Sequence, residues 1–392
     1  MFNAADPSRP ALRPRALMAA AVAGTIIGYA GWSAQPEILS EVLVQFHLNN
    51  TQAALSISAE TLALAITSIL LTGLIQIRFP RLLMLIGAVI ALAGHLLSWN
   101  AGSFLHFVEC RAMAGMGEGL TLGLANVIIA SLPDPDRAYA NVNTGQILGG
   151  AVIVALVPLA TVHIGHLPML IVLSGITVLM LPLLLLSPPR TVQASASTAA
   201  NHQPAPVFSL LSLWTSMLLF GTGSSALWAF FVEFGKRTTL TRGQIDGTIS
   251  AAVLAGLAGT VLTSLISTRF GRRGPVLIAL AFTSLTNFAI THSTIGVIYQ
   301  VSVCVMIACL YVLVPFYQGY AATLDVSGRA AAIVGALFAL TGATGPALGG
   351  WIASSWNLPA IGIAAVGLNV LAASLVFPVE RACKRRRATT VR

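Results

Sequence analysis

Runs of about 20 apolar residues follow one another along almost the whole chain, separated by short polar turns. A helix of that length, rising 1.5 Å per residue, crosses the hydrocarbon core of a bilayer. The first half holds runs at 16–36, 51–77, 82–101, 103–132, 143–161 and 167–187. The second holds them at 209–233, 243–268, 274–292, 294–320, 329–353 and 357–378. The spacing predicts an all-α membrane protein with about 12 transmembrane helices. Period-two alternation, the mark of a membrane barrel, is absent. Composition agrees, because Asp, Glu, Lys and Arg make up only 8% of the 392 residues. A soluble domain carries about 25%, since its surface must face water.

A net charge of +9 invites a nucleic-acid partner, but the distribution of charge argues for none. With an even number of spans, both termini lie on one side. All but four of the 21 Lys and Arg residues fall on that side. Lys236, Arg237 and Arg242 lie opposite, and Arg111 lies within a span. This bias predicts a multi-pass protein of the plasma (inner) membrane with both termini cytoplasmic. The basic tail, 381–392, then anchors the chain near anionic headgroups. The first run is too long for a signal-peptide core, so an uncleaved span is expected. Cys110, Cys304 and Cys309 sit in apolar runs and Cys383 in the tail, without disulfide or zinc spacing. No metal or cofactor is expected. Enzyme motifs are missing too: there is no Gly-x-Ser-x-Gly elbow and no His-Glu-x-x-His string. Asp134 and Asp136 fit helix capping at a cytoplasmic turn.

Leu48-Asn49-Asn50-Thr51-Gln52, followed by Ser58-Ala59, recurs 192 positions later as Leu240-Thr241-Arg242-Gly243-Gln244, followed by Ser250-Ala251. Arg78-Phe79-Pro80-Arg81 recurs 191 positions later as Arg269-Phe270-Gly271-Arg272, and Asp136-Arg137-Ala138 is echoed by Gly328-Arg329-Ala330. Matches in order at near-constant spacing indicate a duplicated six-helix unit. The expected domains are an N-terminal bundle at 1–187, a cytoplasmic linker at 188–208 and a C-terminal bundle at 209–380, before the basic tail. Small, polar and Pro-bounded, the linker suits a flexible connection. Parallel repeats of this kind place substrate between the bundles near mid-membrane, with one bundle rocking against the other.

On these residues the chain resembles the major facilitator superfamily over nearly its full length. That family carries a Gly-x-x-x-Asp-Arg-x-Gly-Arg-Arg loop between helices two and three, often echoed between helices eight and nine. The better copy here is the second, with Ser264, Thr268, Arg269, Gly271, Arg272 and Arg273. The first copy keeps Gly73, Ile77, Arg78, Pro80 and Arg81, and both lack the acidic residue. Arg111, followed by Gly115, Gly117 and Gly119, fits the family's helix four. Gly345, Pro346, Gly349 and Gly350 form a Gly-Pro-x-x-Gly-Gly packing motif. Drug antiporters carry that string in helix five; here it falls in helix eleven, and Gly145, Gly149 and Gly150 are a partial helix-five counterpart. The resemblance implies two pseudo-symmetric six-helix bundles and gate loops at Arg78, Arg81, Arg269, Gly271, Arg272 and Arg273. It also places helices one and seven along the cavity.

Ionisable groups in hydrocarbon cost about 3 kcal/mol or more each, so they are paired or line a wet cavity. Glu60 falls near the midplane of the second span, and Arg111 and Glu118 share one face of the fourth. Desolvation disfavours an ionised carboxylate and a nearby cation favours it. Glu60, Arg111 and Glu118 are therefore the candidates for proton coupling, against a static pair that fixes helix packing. Arg111 is also a candidate for binding an anionic solute through its forked donors. Glu109 lies near the outer boundary, and His95 fits a packed or hydrogen-bonded residue. The cavity candidates are Tyr29, Trp32, Gln35, Asn126, Gln146, Trp228, Asn287, Tyr311 and Gln318, with Asn143 another polar residue within a span. Trp32 precedes Glu37 as Trp228 precedes Glu233, and both acids fit solvated carboxylates beside an interfacial Trp belt. Pro36, Pro158, Pro182 and Pro315 are expected to kink their helices.

The expected function is secondary active transport of a small organic solute, a carboxylate or an amphipathic molecule, driven by protons. Its partners would be that solute, protons and the lipid bilayer, with the chain working as a monomer. A multidrug/proton antiporter is the alternative within transport, and a transporter-derived membrane sensor the alternative outside it. Uptake and efflux share these residues.

Overall fold

A computed structural model of the chain describes residues 14–72, 76–132, 134–164, 166–189, 192–193, 207–266, 271–325 and 329–390. The described residues form fifteen helices and one two-stranded ribbon. In the first half these are α1 (Pro14–Gly28), α2 (Ala30–Gln45), α3 (Asn50–Thr72), β1 (Gln76–Ile77), α4 (Pro80–Trp99), α5 (Phe104–Ala130), α6 (Pro135–Ala155), α7 (Val157–Ile164) and α8 (Pro168–Leu184). The second half holds β2 (Val192–Gln193), α9 (Val207–Ala229), α10 (Phe231–Gly235), α11 (Arg242–Ile266), α12 (Arg273–His292), α13 (Gly296–Leu324), α14 (Arg329–Ser355) and α15 (Ala360–Thr390).

Polar residues at the turns start these helices by satisfying N–H groups that lack intrahelical partners. Ser103 Oγ accepts from His106 N at 3.3 Å, and Asp134 Oδ1 accepts from Arg137 N at 3.1 Å. Pro80, Pro135 and Pro168 stand where a helix needs no donor.

Among the described residues ten spans are long and apolar enough to cross a membrane, α1 and α2 together counting as one, Pro14–Gln45. Pro168–Leu184 is apolar but shorter. The expected fifth span corresponds to α6 and α7, which begin earlier than anticipated and divide at Leu156. Asn141, Asn143, Thr144 and Gln146 make the first part of α6 polar, which hides its start in the sequence. The first span also runs further than expected, to Gln45, and the basic tail continues as helix through Thr390. Most of the expected linker, and Gly73, Thr268 and Arg269 of the loop motif, lie outside the described residues. Within the linker β2 pairs antiparallel with β1, Gln76 opposite Gln193 and Ile77 opposite Val192.

In the first half α5 packs on α3, α4 and α1; in the second α9 packs on α14 and α15, and α13 on α11 and α12. We call the face carrying β1 and β2 proximal, and the opposite face, with the α2–α3 and α10–α11 turns, distal. Two seams join the halves, α3 against α14, and α6 with the distal end of α2 against α11. Gly350 makes the first seam close, because an added Cβ would lie 2.5 Å from Ala54 Cβ and 2.6 Å from Asn50 O. Gly345 and Gly349 set the same helix on α9, through Ser225 and Ala226.

Candidate functional site

A cavity of about 150 Å³ lies between the halves. Tyr29, Trp32, Asn143 and Gln146 line it from the first half, and Thr260, Tyr311, Gln318 and Phe338 from the second, with Leu310, Val314, Pro315 and Gly335 filling the wall. A narrower recess under Tyr29 and Trp32 continues to Thr61 and Leu64. Tyr29 is where the first span bends, its backbone (φ −108°, ψ 7°) leaving helical geometry between α1 and α2. That bend and Pro315 in α13 put aromatic rings on the cavity wall. Tyr29 meets Trp32 edge-on at 6.4 Å, and Trp32 lies 6.5 Å from Phe338. Tyr311 and Gln146 line the cavity from opposite halves. Asn143 and Gln318 are exposed and mark the mouth on the proximal side. No described lining residue carries a formal charge.

The distal side is sealed. Trp32 and Trp228 stack across the halves, centroids 5.1 Å apart and planes 16° from parallel. Trp228 Nε1 donates to Trp32 O at 2.9 Å, and Thr61 Oγ1 to Gly342 O at 2.8 Å. Thr51 N donates to Ser354 Oγ at 3.0 Å, Thr51 Oγ1 to Gly350 O at 3.1 Å and Ser250 Oγ to Ala151 O at 3.0 Å. Arg242 of α11 pairs with Glu37 of α2.

Beside the cavity, within the first half, α3, α4 and α5 bury a cluster of ionisable groups. Arg111 pairs with both carboxylate oxygens of Glu60, its Nε lying 3.1 Å from Oε2. Its third nitrogen is 3.0 Å from His95 Nδ1. His95 Nε2 faces Glu118 Oε1 at 3.5 Å, and that oxygen accepts Gly31 N at 3.0 Å. Glu60, His95, Arg111 and Glu118 are all fully buried. A pair so placed is held by direct bonds, because losing either partner strands a charge in a dry interior.

The expected proton-coupling residues Glu60, Arg111 and Glu118 thus come together, and His95, expected as a packed or hydrogen-bonded residue, lies between Arg111 and Glu118. Arg111 is spent on Glu60 and His95 and does not reach the cavity. Of the expected cavity residues, Tyr29, Trp32, Gln146, Tyr311 and Gln318 line it, while Trp228 forms its roof. Gln35 and Asn287 are buried with no hydrogen-bond partner for their amides, and Asn126 is half-buried on α5; none lines the cavity. Glu37 is not solvated beside a Trp belt but buried and ion-paired, whereas Glu233 is partly exposed and pairs with Lys236 at 2.7 Å. Glu109 is exposed, 3.9 Å from His106.

Among the loop residues, Arg81 ties the start of α4 to the end of α8, with Nε 2.9 Å from Ser187 O, and Arg78 is exposed. Gly271 adopts φ +65°, a left-handed turn that favours glycine. Arg272 bonds Thr323 and lies over Tyr320, and Arg273 lies 4.4 Å over the Phe377 ring.

Sequence signals for the rest were thin. Thr61, Thr260 and Phe338 carry no pattern distinct from lipid-facing positions. The two tryptophans that meet in the roof did stand out, as a pair matched between the halves.

Helices of membrane length, two duplicated halves and a cavity sealed at one end define a membrane transporter rather than an enzyme. The chain belongs to the Major Facilitator Superfamily, whose profile matches residues 21–327. The structure resembles a mutant of the nucleoside transporter NupG with a TM-score of 0.72 at 14% identity, covering 93% of this chain and 99% of that one. It also resembles an inward-facing, unoccupied bacterial homologue of the human lysosomal transporter Spinster, with a TM-score of 0.71 at 13% identity, covering 97% and 99%. These likenesses are of fold. No curated protein matches the sequence significantly.

Proposed function

We propose that the protein is a proton-coupled secondary transporter that carries a small, uncharged or amphipathic, ring-bearing solute by alternating access. One observation supports this most: the cavity between the halves combines aromatic faces with amides and hydroxyls, and its described lining holds no formal charge. Rings stack on Trp32 and Tyr29, while Asn143, Gln146, Tyr311 and Gln318 choose among hydrogen-bonding groups. A carboxylate solute would need a cation, and the nearest candidate, Arg111, is bonded to Glu60. A lipophilic drug cation would need an acid in the wall, so the antiport alternative has less support.

In this reading the Glu60–Arg111–His95–Glu118 cluster takes up the proton. Gly31 links it to the cavity, since its N–H holds Glu118 and the nearby Tyr29 and Trp32 line the cavity. Basic residues on the proximal face favour a cytoplasmic proximal side in the plasma membrane, hence an inward-open form. The bundles are assigned to 1–187 and 209–380, acting within one monomer.

The test uses proteoliposomes and a solute that stabilises the purified protein. Glu60→Gln should abolish accumulation driven by a proton gradient while keeping counterflow exchange. Loss of both, or retention of both, contradicts the role given to Glu60.

A further inference from the structure

A second group of charges lies in the distal seam, apart from the Glu60 cluster. Glu37 and Glu41 approach from α2, Arg242 and Asp246 from α11. Arg242 pairs with Glu37, with Asp246 at 2.8 Å and with the Ser40 hydroxyl at 3.2 Å. Two carboxyl groups therefore share one guanidinium, with the charge of Glu41 nearby. Glu37 is 0% exposed and Asp246 3% exposed. Yet Glu37 Oε1 and Glu41 Oε2 are buried with no hydrogen-bond donor. Tyr299 faces the group from α13 but gives its hydroxyl to Phe231 O at 2.8 Å. The carboxyl groups of Glu37 and Asp246 bond the same guanidinium, which brings an acid of each half together across the seam. Ionised, both are acceptors only, and like charges in a dry setting repel. One proton between them turns that repulsion into a short, charge-assisted O–H···O bond.

We propose that the distal seam contains a proton-binding site in which Glu37 of one half and Asp246 of the other share a single proton while the seam is closed. Because the partners belong to different halves, opening the seam separates them and releases the proton on the distal side. Arg242 neutralises one remaining charge and, being partly exposed, connects the group to the distal surface. The sign follows from linkage: the closed form binds a proton that the open form lets go. Closure is therefore favoured at low pH and lost as pH rises, by at most about tenfold in the closed-to-open ratio per pH unit. The site goes beyond the coupling assigned to Glu60, and it is tested on the seam rather than on transport.

Spin labels at Val44→Cys and Thr239→Cys, both exposed on the distal face, report the seam in full-length protein in which Cys110, Cys304, Cys309 and Cys383 are replaced by Ala. Pulsed dipolar spectroscopy across a pH series should show the short-distance population falling as pH rises. Glu37→Gln and Asp246→Asn each supply an amide donor in place of the proton, so either should hold the seam closed at every pH. Glu109→Gln, at an exposed acid outside both groups, should keep the wild-type response. The proposal is overturned if both seam variants retain the wild-type pH response, or if the wild type shows none. It is also overturned if sodium restores closure at alkaline pH as fully as acid does, because the site then takes a metal cation.

Discussion

The indole N–H of Trp228 donates to the backbone carbonyl of Trp32 at 2.9 Å, an acceptor left free because Pro36, four residues on, has no N–H to offer it. The same device recurs at Gly342, whose carbonyl is freed by Pro346 and takes the Thr61 hydroxyl at 2.8 Å. In both cases a donor from one half bonds a carbonyl that a proline exposes in the other. Replacing Pro36 with Ala gives α2 its own bond and removes a ring that clashes within the helix, an effect of up to about 3 kcal/mol on the helix. The seam should nevertheless weaken. Dipolar distances between distal labels should lengthen in Pro36→Ala and in Pro346→Ala, and an unchanged or shorter distance in both would remove this role from the prolines.

Gly31 sits against two carboxylates. An added Cβ would collide with Glu60 Oε1 and lie 2.8 Å from Glu118 Oε1. Gly31→Ala should therefore lower the melting temperature of the purified protein, by overpacking worth about 1–3 kcal/mol. Gly175→Ala, with nothing within 4 Å, is the control and should change little. Equal melting temperatures for the two variants would mean that the cluster yields easily.

The Glu60–Arg111 pair is fully buried, so single substitutions should cost more than their combination suggests. Glu60→Gln and Arg111→Met each leave one charge unpaired, at about 3–5 kcal/mol. The double variant should recover part of that loss, and a double-mutant cycle on melting would measure it. Strict additivity would show that the two side chains do not depend on each other.

Trp32 combines cavity wall and roof. Trp32→Ala should weaken solute binding more than tenfold, because stacking surface and shape are both lost, whereas Trp32→Phe should retain most of it. Isothermal titration with a stabilising solute distinguishes the two. Equal losses for Ala and Phe would shift the emphasis from the ring to the indole N–H.

The membrane character and the family could be read from the sequence, because apolar run length and the repeat near 192 residues follow from bilayer thickness and duplication. Glu60, Arg111 and Glu118 stood out because ionised groups in hydrocarbon need a reason to be there. What they bind did not stand out, since His95 lies on a different helix and its role depends on helix packing. Glu37 and Arg242 are 205 positions apart, and nothing local in either segment announces the pair. The apolar cavity wall at Leu310, Val314 and Phe338 is equally hidden, because a residue facing lipid and one facing solute can be the same type. The start of the fifth span is hidden for the opposite reason: polar residues that serve the cavity interrupt its apolar run.

Thermal stability of the purified protein in detergent, measured against a panel of neutral ring-bearing solutes, organic anions and lipophilic cations, tests the central claim most directly. The account predicts that a neutral or amphipathic ring-bearing solute raises the melting temperature, and that Gln146→Ala or Tyr311→Phe removes the rise. Stabilisation by organic anions that persists in those cavity variants but is lost in Arg111→Ala would contradict it, and would move the binding site from the cavity to the Arg111 cluster.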